Sequence, residues 1–386
     1  MDTVAVLVAL IRGVICGETI GEQVKTACTP EMLEDVYVLA DKHDLAHLVG
    51  QAVSKLGLPD SEPLKKCKQA AMVAFVRYMR LNQEYVQICN ILEAAQIPFL
   101  PLKGAVLRDY YPEPWMRTSC DIDILVHEEQ ADAAMQELVD KLGYRFVEKT
   151  QHDISLFSAG GLHFELHYTV MEDTKVLGSQ AVLDHFWEYA ALCPGKQFQY
   201  QVSDDMFYFY HIAHMAKHVE NGGCGIRTFL DLWILEHVVP HDREKREALL
   251  VQGGMQKLAA AAQGLAEKWF SNTQPDAMSQ QFECFVLEGG VFGTQKNYIA
   301  MHQTKSGGKW KYALSRIFLP YHIIKLHYPI LEKHRWLTFA FQPVRWMKLL
   351  FTGGVKRSVR ELQTNANIST KEVSTEQLLD YLGLQK

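Results

Sequence analysis

Two acidic residues, Asp121 and Asp123, interrupt a stretch of apolar residues that otherwise has the pattern of a buried β-strand. The stretch is Asp-Ile-Asp-Ile-Leu-Val, residues 121–126. Because side chains alternate between the two faces of a strand, both carboxylates lie on the same face. Aspartate is uncommon in strands, and neighbouring carboxylates repel each other unless a cation neutralises them. The spacing therefore indicates a site for a divalent cation.

A third acidic residue, Glu165, lies in a later stretch with the same alternation. In His-Phe-Glu-Leu-His, residues 163–167, Glu165 shares one face with the two histidines. If the two strands are neighbours, three carboxylates converge into the oxygen-rich ligand set that Mg²⁺ prefers, and such a set can assist displacement at phosphorus. The residues alone leave a second interpretation open, in which these acids are solvated side chains on a sheet face.

Lys103 and Gly104 stand upstream, where a short apolar strand gives way to a short helical pattern. The start of a helix offers backbone N–H groups and a positive dipole end to a phosphate, and Lys103 would add a cationic contact. The alternative is an ordinary turn glycine beside an exposed lysine.

Four regions with different patterns position these residues. Residues 1–96 have helical periodicity, and residues 97–182 form short alternating strands around one amphipathic helix. Residues 183–355 return to helical patterns, and residues 356–386 form a polar tail with a short terminal helix. We therefore predict an α+β fold, in which a small mixed β-sheet is inserted between N-terminal and C-terminal helical regions.

The composition limits the class of protein. The chain has 386 residues, a hydrophobic fraction of 48% and a formal net charge of −6, so stable nucleic-acid binding is not expected. Its eight cysteines include no Cys-x-x-Cys pair, which favours a reduced, cytoplasmic protein. No apolar run reaches the ~20 residues that a membrane span requires.

The charge is unevenly distributed. Residues 303–360 contain 12 Lys and Arg residues but only one acidic residue, Glu332, together with many aromatic residues. Basic and aromatic residues together are found in RNA-binding and membrane-surface segments. We favour the interpretation that the aromatic side chains are core and that the cations face the acidic remainder of the chain.

These motifs resemble the uncharacterised nucleotidyltransferase family of the polymerase-β-like nucleotidyltransferase superfamily. The superfamily pattern of an apolar residue with Gly, then Asp-x-Asp, then an acid on a later strand falls on Leu102–Ala105, Asp121, Asp123 and Glu165. A later helical pattern of the family is also similar to this chain; its residues are His214, Lys217, His218, Arg227 and Asp231.

The resemblance implies a Mg²⁺- or Mn²⁺-dependent enzyme that moves a nucleoside monophosphate from an NTP such as ATP to an acceptor hydroxyl, with release of pyrophosphate. The acceptor would be a small molecule, a protein or an RNA end. Asp121, Asp123 and Glu165 would be the catalytic metal ligands. The residues that would bind the nucleotide are Lys103, Gly104, Ala105, Arg117, Lys217, His218 and Arg227.

Three alternatives remain open at the level of sequence. Many superfamily members have Gly-Ser where this chain has Gly104-Ala105, so either Lys103 or Arg117 replaces the serine contact or the chain is a catalytically silent binding module. Histidines 211, 214 and 218 share a helical face, which fits a polar wall of the cleft, a zinc site or a metal-dependent phosphohydrolase. Arg227 either pairs with Asp231 four residues later or faces the triphosphate.

Overall fold

The computed structural model describes residues 1–170, 178–271, 273, 277–351, 354–367 and 372–385. Among these residues, helices precede and follow a small mixed β-sheet. The predicted α+β class is therefore confirmed.

The N-terminal region forms helices α1 to α5. Their bounds are Thr3–Ile15, Glu22–Ala27, Pro30–Lys42, Ala46–Ser54 and Glu62–Ala94. Helix α3 starts as its sequence indicates, because the Thr29 hydroxyl accepts a hydrogen bond from the amide of Met32 and Pro30 occupies the first turn. Helix α5 is long enough to reach from this helical region to the sheet, which it covers on one side.

The sheet region contains strands β1 to β5 and two helices. In chain order these are β1 Phe99–Pro101, α6 Gly104–Leu107, β2 Asp121–Val126, α7 Ala131–Leu142, β3 Arg145–Lys149, β4 Asp153–Phe157 and β5 His163–His167. The order across the sheet is β1-β2-β5-β4-β3. Strands β2 and β5 are parallel and central, and the other pairs are antiparallel. The central pair is therefore the one that carries the acidic residues.

The two faces of the sheet have different surroundings. Ile122 and Ile124 of β2 and Phe164 and Leu166 of β5 are buried in an apolar cluster that also includes side chains of α5 and α7. The residues that alternate with them point to the opposite face, which is polar. Burial of one face therefore fixes which side chains the other face presents.

The C-terminal region is mostly helical. Its elements are α8 Ser179–Leu183, β6 Ala190–Leu192, β7 Tyr200–Val202, α9 Asp204–Glu220, α10 Ile226–His237, α11 Arg243–Gly253, α12 Gln256–Phe270, α13 Ala277–Gly289, α14 Gln295–Lys305, α15 Lys309–Ile317, α16 Tyr321–His327, α17 Ile330–Lys333, α18 Thr338–Phe351, α19 Gly354–Asn367 and α20 Glu372–Tyr381. The β6–β7 hairpin was not predicted; it lies against the sheet edge, where the amide of Phe99 donates to the carbonyl of Phe198 at 2.9 Å. Helix α19 occupies much of the segment that the sequence predicted to be a polar tail.

The N-terminal and C-terminal helices share one apolar core. Leu7 and Leu10 of α1 belong to the same buried cluster as Leu258 and Leu265 of α12. Helices α9 and α10 of the C-terminal region lie opposite the polar face of the sheet. Across the part of the chain that the structure describes, no helix is both long enough and apolar enough to cross a membrane.

The basic and aromatic segment differs from its prediction. Tyr312 is buried, but Trp310, Trp336, Phe339 and Phe351 are 84%, 75%, 86% and 89% exposed. The interpretation of the aromatic side chains as core is therefore wrong for these four exposed residues. For Phe339 and Phe351 the physical reason is the orientation of helix α18, which turns Gln342 and Arg345 toward the protein.

Candidate active site on the polar face of the sheet

The pairing of β2 with β5 brings the three carboxylates together. Asp123 lies directly opposite Glu165, and Asp121 lies opposite His163. Side chains that are directly opposite each other on one face of a sheet are in contact range. The structure therefore places all three predicted acidic residues on one patch of the sheet.

Asp123 is the most buried of these acids and has two close nitrogen partners. The Lys103 ammonium lies 2.8 Å from Oδ1 of Asp123, and Nε2 of His167 lies 2.9 Å from the same oxygen. Burial alone would raise the pKa of Asp123, but Lys103 and then His167 outweigh it and hold this pKa well below its usual range. Asp123 is therefore ionised, and its negative charge is already paired with the Lys103 ammonium.

Asp121 and Glu165 complete the acidic patch. Burial, and then repulsion from Asp123, raises the pKa of Asp121. Glu165 lies between two histidines, with Oε2 at 3.3 Å from Nε2 of His167 and Oε1 at 3.8 Å from Nδ1 of His163. The patch therefore has an excess of negative charge that an additional cation would relieve.

The donor atoms fit a divalent cation. One donor atom from each of Asp121, His163 and Glu165 lies within 4.8 Å of the others, and the same holds for Asp123, Glu165 and His167. Glu165 belongs to both groups. Carboxylate oxygens suit Mg²⁺ and Mn²⁺, and imidazole nitrogens suit several transition metals. His163 and His167 were not predicted as site residues, although their alternation with Glu165 already placed them on its face.

Lys103 adopts a backbone conformation that is unusual for a lysine. Its φ of 45° and ψ of −118° correspond to the first central residue of a type II′ turn, which is usually Gly. The amide of Ala105 closes this turn by donating to the carbonyl of Leu102 at 3.1 Å. Gly104 lies close to Ser119: a Cβ atom at position 104 would lie 3.1 Å from Cβ of Ser119, so a larger residue would have to displace Ser119 slightly.

The start of α6, where the sequence predicts a phosphate site, is a tight turn. The helix has only four residues, and the amides of Ala105, Val106 and Leu107 donate to the carbonyls of Leu102 and Lys103. These amides are therefore engaged within the turn. Lys103 and Gly104 line the cavity, and so does Ser119, a residue that the sequence did not single out.

Arg117 and Arg227 have partners that differ from those expected. Nε of Arg117 lies 2.7 Å from Oδ1 of Asp231, and the hydroxyl of Tyr111 donates to that same oxygen at 2.7 Å. Burial opposes ionisation of Asp231, but the Arg117 guanidinium outweighs it and lowers the Asp231 pKa. Arg227 instead pairs with Asp44. The proposed Arg227–Asp231 pair within α10 is therefore wrong.

The histidine face of α9 forms part of the wall opposite the sheet. Nε2 of His211 lies 3.0 Å from the carbonyl oxygen of Thr228, and the Nε2 atoms of His214 and His218 are 3.0 Å apart. Within the described residues, the groups of potential metal ligands include none of these three histidines. Lys217, which was predicted to bind phosphate, does not line the cavity.

A cavity of about 420 Å³ lies between the polar sheet face and the C-terminal helices. Its wall includes the three acids, Lys103, Arg227, His214 and His218. It also includes Asp41 and Asp44 at the end of α3 and Phe292 in the loop after α13, none of which has a sequence signature. The volume lies within the range of small-molecule sites.

The fold and the site have the features of a nucleotidyltransferase. A family model described as uncharacterised nucleotidyltransferase matches residues 30–271, which is more than half of the chain. The chain therefore belongs to this family, and the resemblance found in the sequence is confirmed. No curated protein and no solved structure matches the chain. The matched range includes the acidic strands and helices α9 to α12, and it ends before α13.

Proposed function

We propose that this protein transfers a nucleoside monophosphate from an NTP to an acceptor hydroxyl and releases pyrophosphate. The observation that carries the proposal is the convergence of Asp121, Asp123 and Glu165 on one sheet face, at the wall of a cavity of about 420 Å³. Membership of the family supports the general class of reaction. The acceptor remains a small molecule, a protein or an RNA end.

The three acids would hold the metal and prepare the acceptor. Mg²⁺ or Mn²⁺, when bound by Asp121, Asp123 and Glu165, would neutralise phosphate charge and polarise the phosphoryl oxygens. Glu165 is the candidate base, because it lies on the cavity wall, is more exposed than Asp123 and neighbours His163 and His167. It would take the proton as the acceptor oxygen attacks the α-phosphorus and the bond to the β-phosphate breaks.

The phosphates would lie between the turn at Lys103 and the wall opposite. Lys103 is the cation closest to the acids, and the Ser119 hydroxyl lies beside Gly104, where it can replace the serine that follows this glycine in many relatives. Arg227, His214 and His218 supply positive or hydrogen-bonding groups from the other side. Arg117 is committed to Asp231, so its role would be to position the wall.

A second function has two structural features in its favour. The Lys103 ammonium already neutralises Asp123, and the amide of Ala105 is engaged within its turn. A catalytically silent module that binds a nucleotide or a partner would retain these features. The two functions differ in whether bound nucleotide is converted.

The test compares two double variants of the full chain. Asp121→Asn with Asp123→Asn removes two charged ligands and retains their shape, whereas Asp35→Asn with Asp140→Asn removes two exposed carboxylates from helices α3 and α7. Labelled NTPs, Mn²⁺ or Mg²⁺ and a cell extract are incubated with each protein, and acceptor-linked nucleotide and pyrophosphate are measured. We expect product with the wild type and with the control double variant only.

Thermal unfolding supplies a readout that does not depend on the acceptor. A ligand at 100 times its Kd stabilises a protein by about 2.7 kcal/mol, so Mn²⁺ with an NTP should raise the melting temperature of the wild type by several degrees. The site variant should gain little. If the site variant gains as much as the wild type, the acids are not ligands. A shift in the wild type without any product would favour the silent module.

A further inference from the structure

The side of helix α18 that faces the protein carries the polar residues Gln342 and Arg345 together with Phe341 and Trp346. The Gln342 side chain is buried, and it accepts from the amide of Leu319 at 3.2 Å and donates to the Leu319 carbonyl at 2.7 Å. Arg345 donates to the carbonyls of Arg316 and Ile317 at 3.0 Å. These contacts attach α18 to the end of α15 by hydrogen bonds.

The outward face of α18 is apolar. Its exposed residues are Phe339, Ala340, Pro343, Val344, Met347, Lys348, Leu350 and Phe351. On a helix with 3.6 residues per turn these positions fall on one side, with Lys348 at its edge. Phe339, Leu350 and Phe351 are 86%, 66% and 89% exposed. An ordinary surface helix has the opposite orientation, with apolar side chains inward, because their exposure to water is unfavourable.

The neighbouring helix α15 exposes a similar strip. Trp310, Leu314 and Ile317 are spaced by four and three residues, which places them on one helical face, and all three are exposed. Phe318, which follows the helix, is 51% exposed, and its ring centroid lies 5.3 Å from that of Trp346 in α18. The two exposed apolar strips therefore belong to helices in direct contact.

The same segment is strongly basic. Residues 309–351, which span α15 to α18, contain eight Lys and Arg residues and one acidic residue, so their formal charge is +7. Among these cations, Arg316 is paired with Glu361 of α19. Lys311, Lys333 and Arg335 of this segment are exposed as well. A surface that combines exposed aromatic and aliphatic side chains with cations and almost lacks acids is complementary to an anionic bilayer.

We propose that α15 to α18 form a peripheral membrane-binding surface, which rests on an anionic lipid bilayer with the outward face of α18 inserted at the headgroup level. Aliphatic residues distinguish this occupant from RNA, since Leu314, Met347 and Leu350 gain from an apolar phase but have no aromatic face for base stacking. The positive charge distinguishes it from a second copy of this chain, which would bring the same charge to the contact. The surface lies outside residues 30–271, the range that the family shares.

The first test measures binding of the full chain to vesicles by flotation. Vesicles of phosphatidylcholine with phosphatidylserine are compared with phosphatidylcholine alone. Phe339→Ser, Leu350→Ser and Phe351→Ser are combined in one variant; because all three side chains are exposed, folding should be retained. Each fully inserted side chain of this size is worth about tenfold or more in binding constant, so full insertion of all three would give about a thousandfold. Because insertion reaches only the headgroup level, we expect a loss of at least roughly a hundredfold.

A matched variant controls for surface hydrophobicity in general. Val38→Ser, Val238→Ser and Val251→Ser also replace three exposed apolar side chains, at 59%, 49% and 55% exposure, but on other surfaces. This variant should bind vesicles as the wild type does. If both triple variants lose affinity equally, or if neither does, the assignment of the outward face of α18 is refuted.

Charge neutralisation separates the bilayer from the other occupants. Lys311→Gln, Lys333→Gln and Lys348→Gln should reduce binding to anionic vesicles by about fivefold per lysine. The same changes at Lys55, Lys68 and Lys141, which are exposed on other surfaces, should have a small effect. RNA binding that the lysine variant abolishes and the Phe339, Leu350 and Phe351 variant leaves intact would overturn the proposal. A dimer that only this apolar variant dissociates, or a wild type that binds no vesicles, would also overturn it.

Discussion

Replacement of Lys103 by Met tests the electrostatics of the acidic patch directly. The change removes the ammonium that lies 2.8 Å from Oδ1 of Asp123 and retains most of the side-chain volume. Asp123 has only 4% of its side chain exposed, so its charge is left in a poorly hydrated place beside two other carboxylates. We therefore expect the variant to be less stable than the wild type when no metal is present.

The size of the expected loss in stability depends on the surroundings of the Lys103–Asp123 pair. Removal of one partner from a buried ion pair costs about 3–5 kcal/mol. Two features reduce this cost: a quarter of the Lys103 side chain is exposed, and His167 still contacts Asp123 at 2.9 Å. A loss of about 1–3 kcal/mol remains, which corresponds to a fall of several degrees in melting temperature.

The variant Lys103→Gly separates the charge from the backbone. It removes the same ammonium but also relieves the left-handed φ of 45°, which a glycine adopts without strain. Lys103→Gly should therefore be more stable than Lys103→Met by about 1 kcal/mol. As a control, Lys66→Met removes an exposed pair with Glu34 and should leave the melting temperature unchanged.

The assay is thermal unfolding with EDTA and with Mn²⁺. In the wild type the ammonium and the metal compete for Asp123, so Mn²⁺ should stabilise Lys103→Met more than it stabilises the wild type. Unfolding of Lys103→Met at the wild-type temperature, together with a wild-type response to Mn²⁺, would refute the view that Lys103 neutralises this site.

Two further predictions concern the framework of the cavity. Burial, and then the charge of Lys42, lowers the pKa of His43 from 6.5 to about 4, and its Nδ1 accepts from the amide of Ile226. As the pH falls, the unfolded chain therefore binds a proton at His43 before the folded chain does. The stability that neutral His43 provides is complete above pH 6.5 and falls by roughly 2–3 kcal/mol as the pH approaches about 4. The variant His43→Gln should flatten this part of the profile of denaturation midpoint against pH. Gly223→Ala would place a Cβ atom 2.1 Å from Cα of Gly293, so the free energy of unfolding measured by chemical denaturation should fall by about 2 kcal/mol or more. As a control, a Cβ atom at Gly264 would have nothing within 4 Å, so Gly264→Ala should stabilise its helix by up to about 1 kcal/mol. Equal effects of the two changes would contradict the packing argument.

The sequence by itself determined the elements whose signals are local. Alternation over residues 121–126 and 163–167 predicts two strands, and it places Asp121 with Asp123 and Glu165 with its flanking histidines, because side-chain direction in a strand depends only on the position along it. The same is true of the start of α3, where Thr29 caps amides within one turn. These features need no knowledge of what the element packs against.

Only the tertiary structure decided which groups meet. The parallel pairing of β2 with β5 places Asp123 opposite Glu165, whereas a shift by one residue would turn the acids into the apolar core. Arg117 and Asp231 are paired although 114 residues separate them. No local periodicity encodes such a partner, since it depends on how distant helices share one core.

The orientation of α18 is another feature that the sequence pattern alone could not predict. Its aromatic spacing predicts burial, because an apolar stripe usually faces the core. The structure instead places Gln342 and Arg345 on the inward side together with Phe341 and Trp346, since the neighbouring segment offers the backbone groups of Arg316, Ile317 and Leu319 as hydrogen-bond partners. The sequence determined that α18 has two unlike faces. Which face meets water was decided by the partners that the fold brings to it, because a helix can satisfy buried polar groups only where another segment supplies the matching atoms.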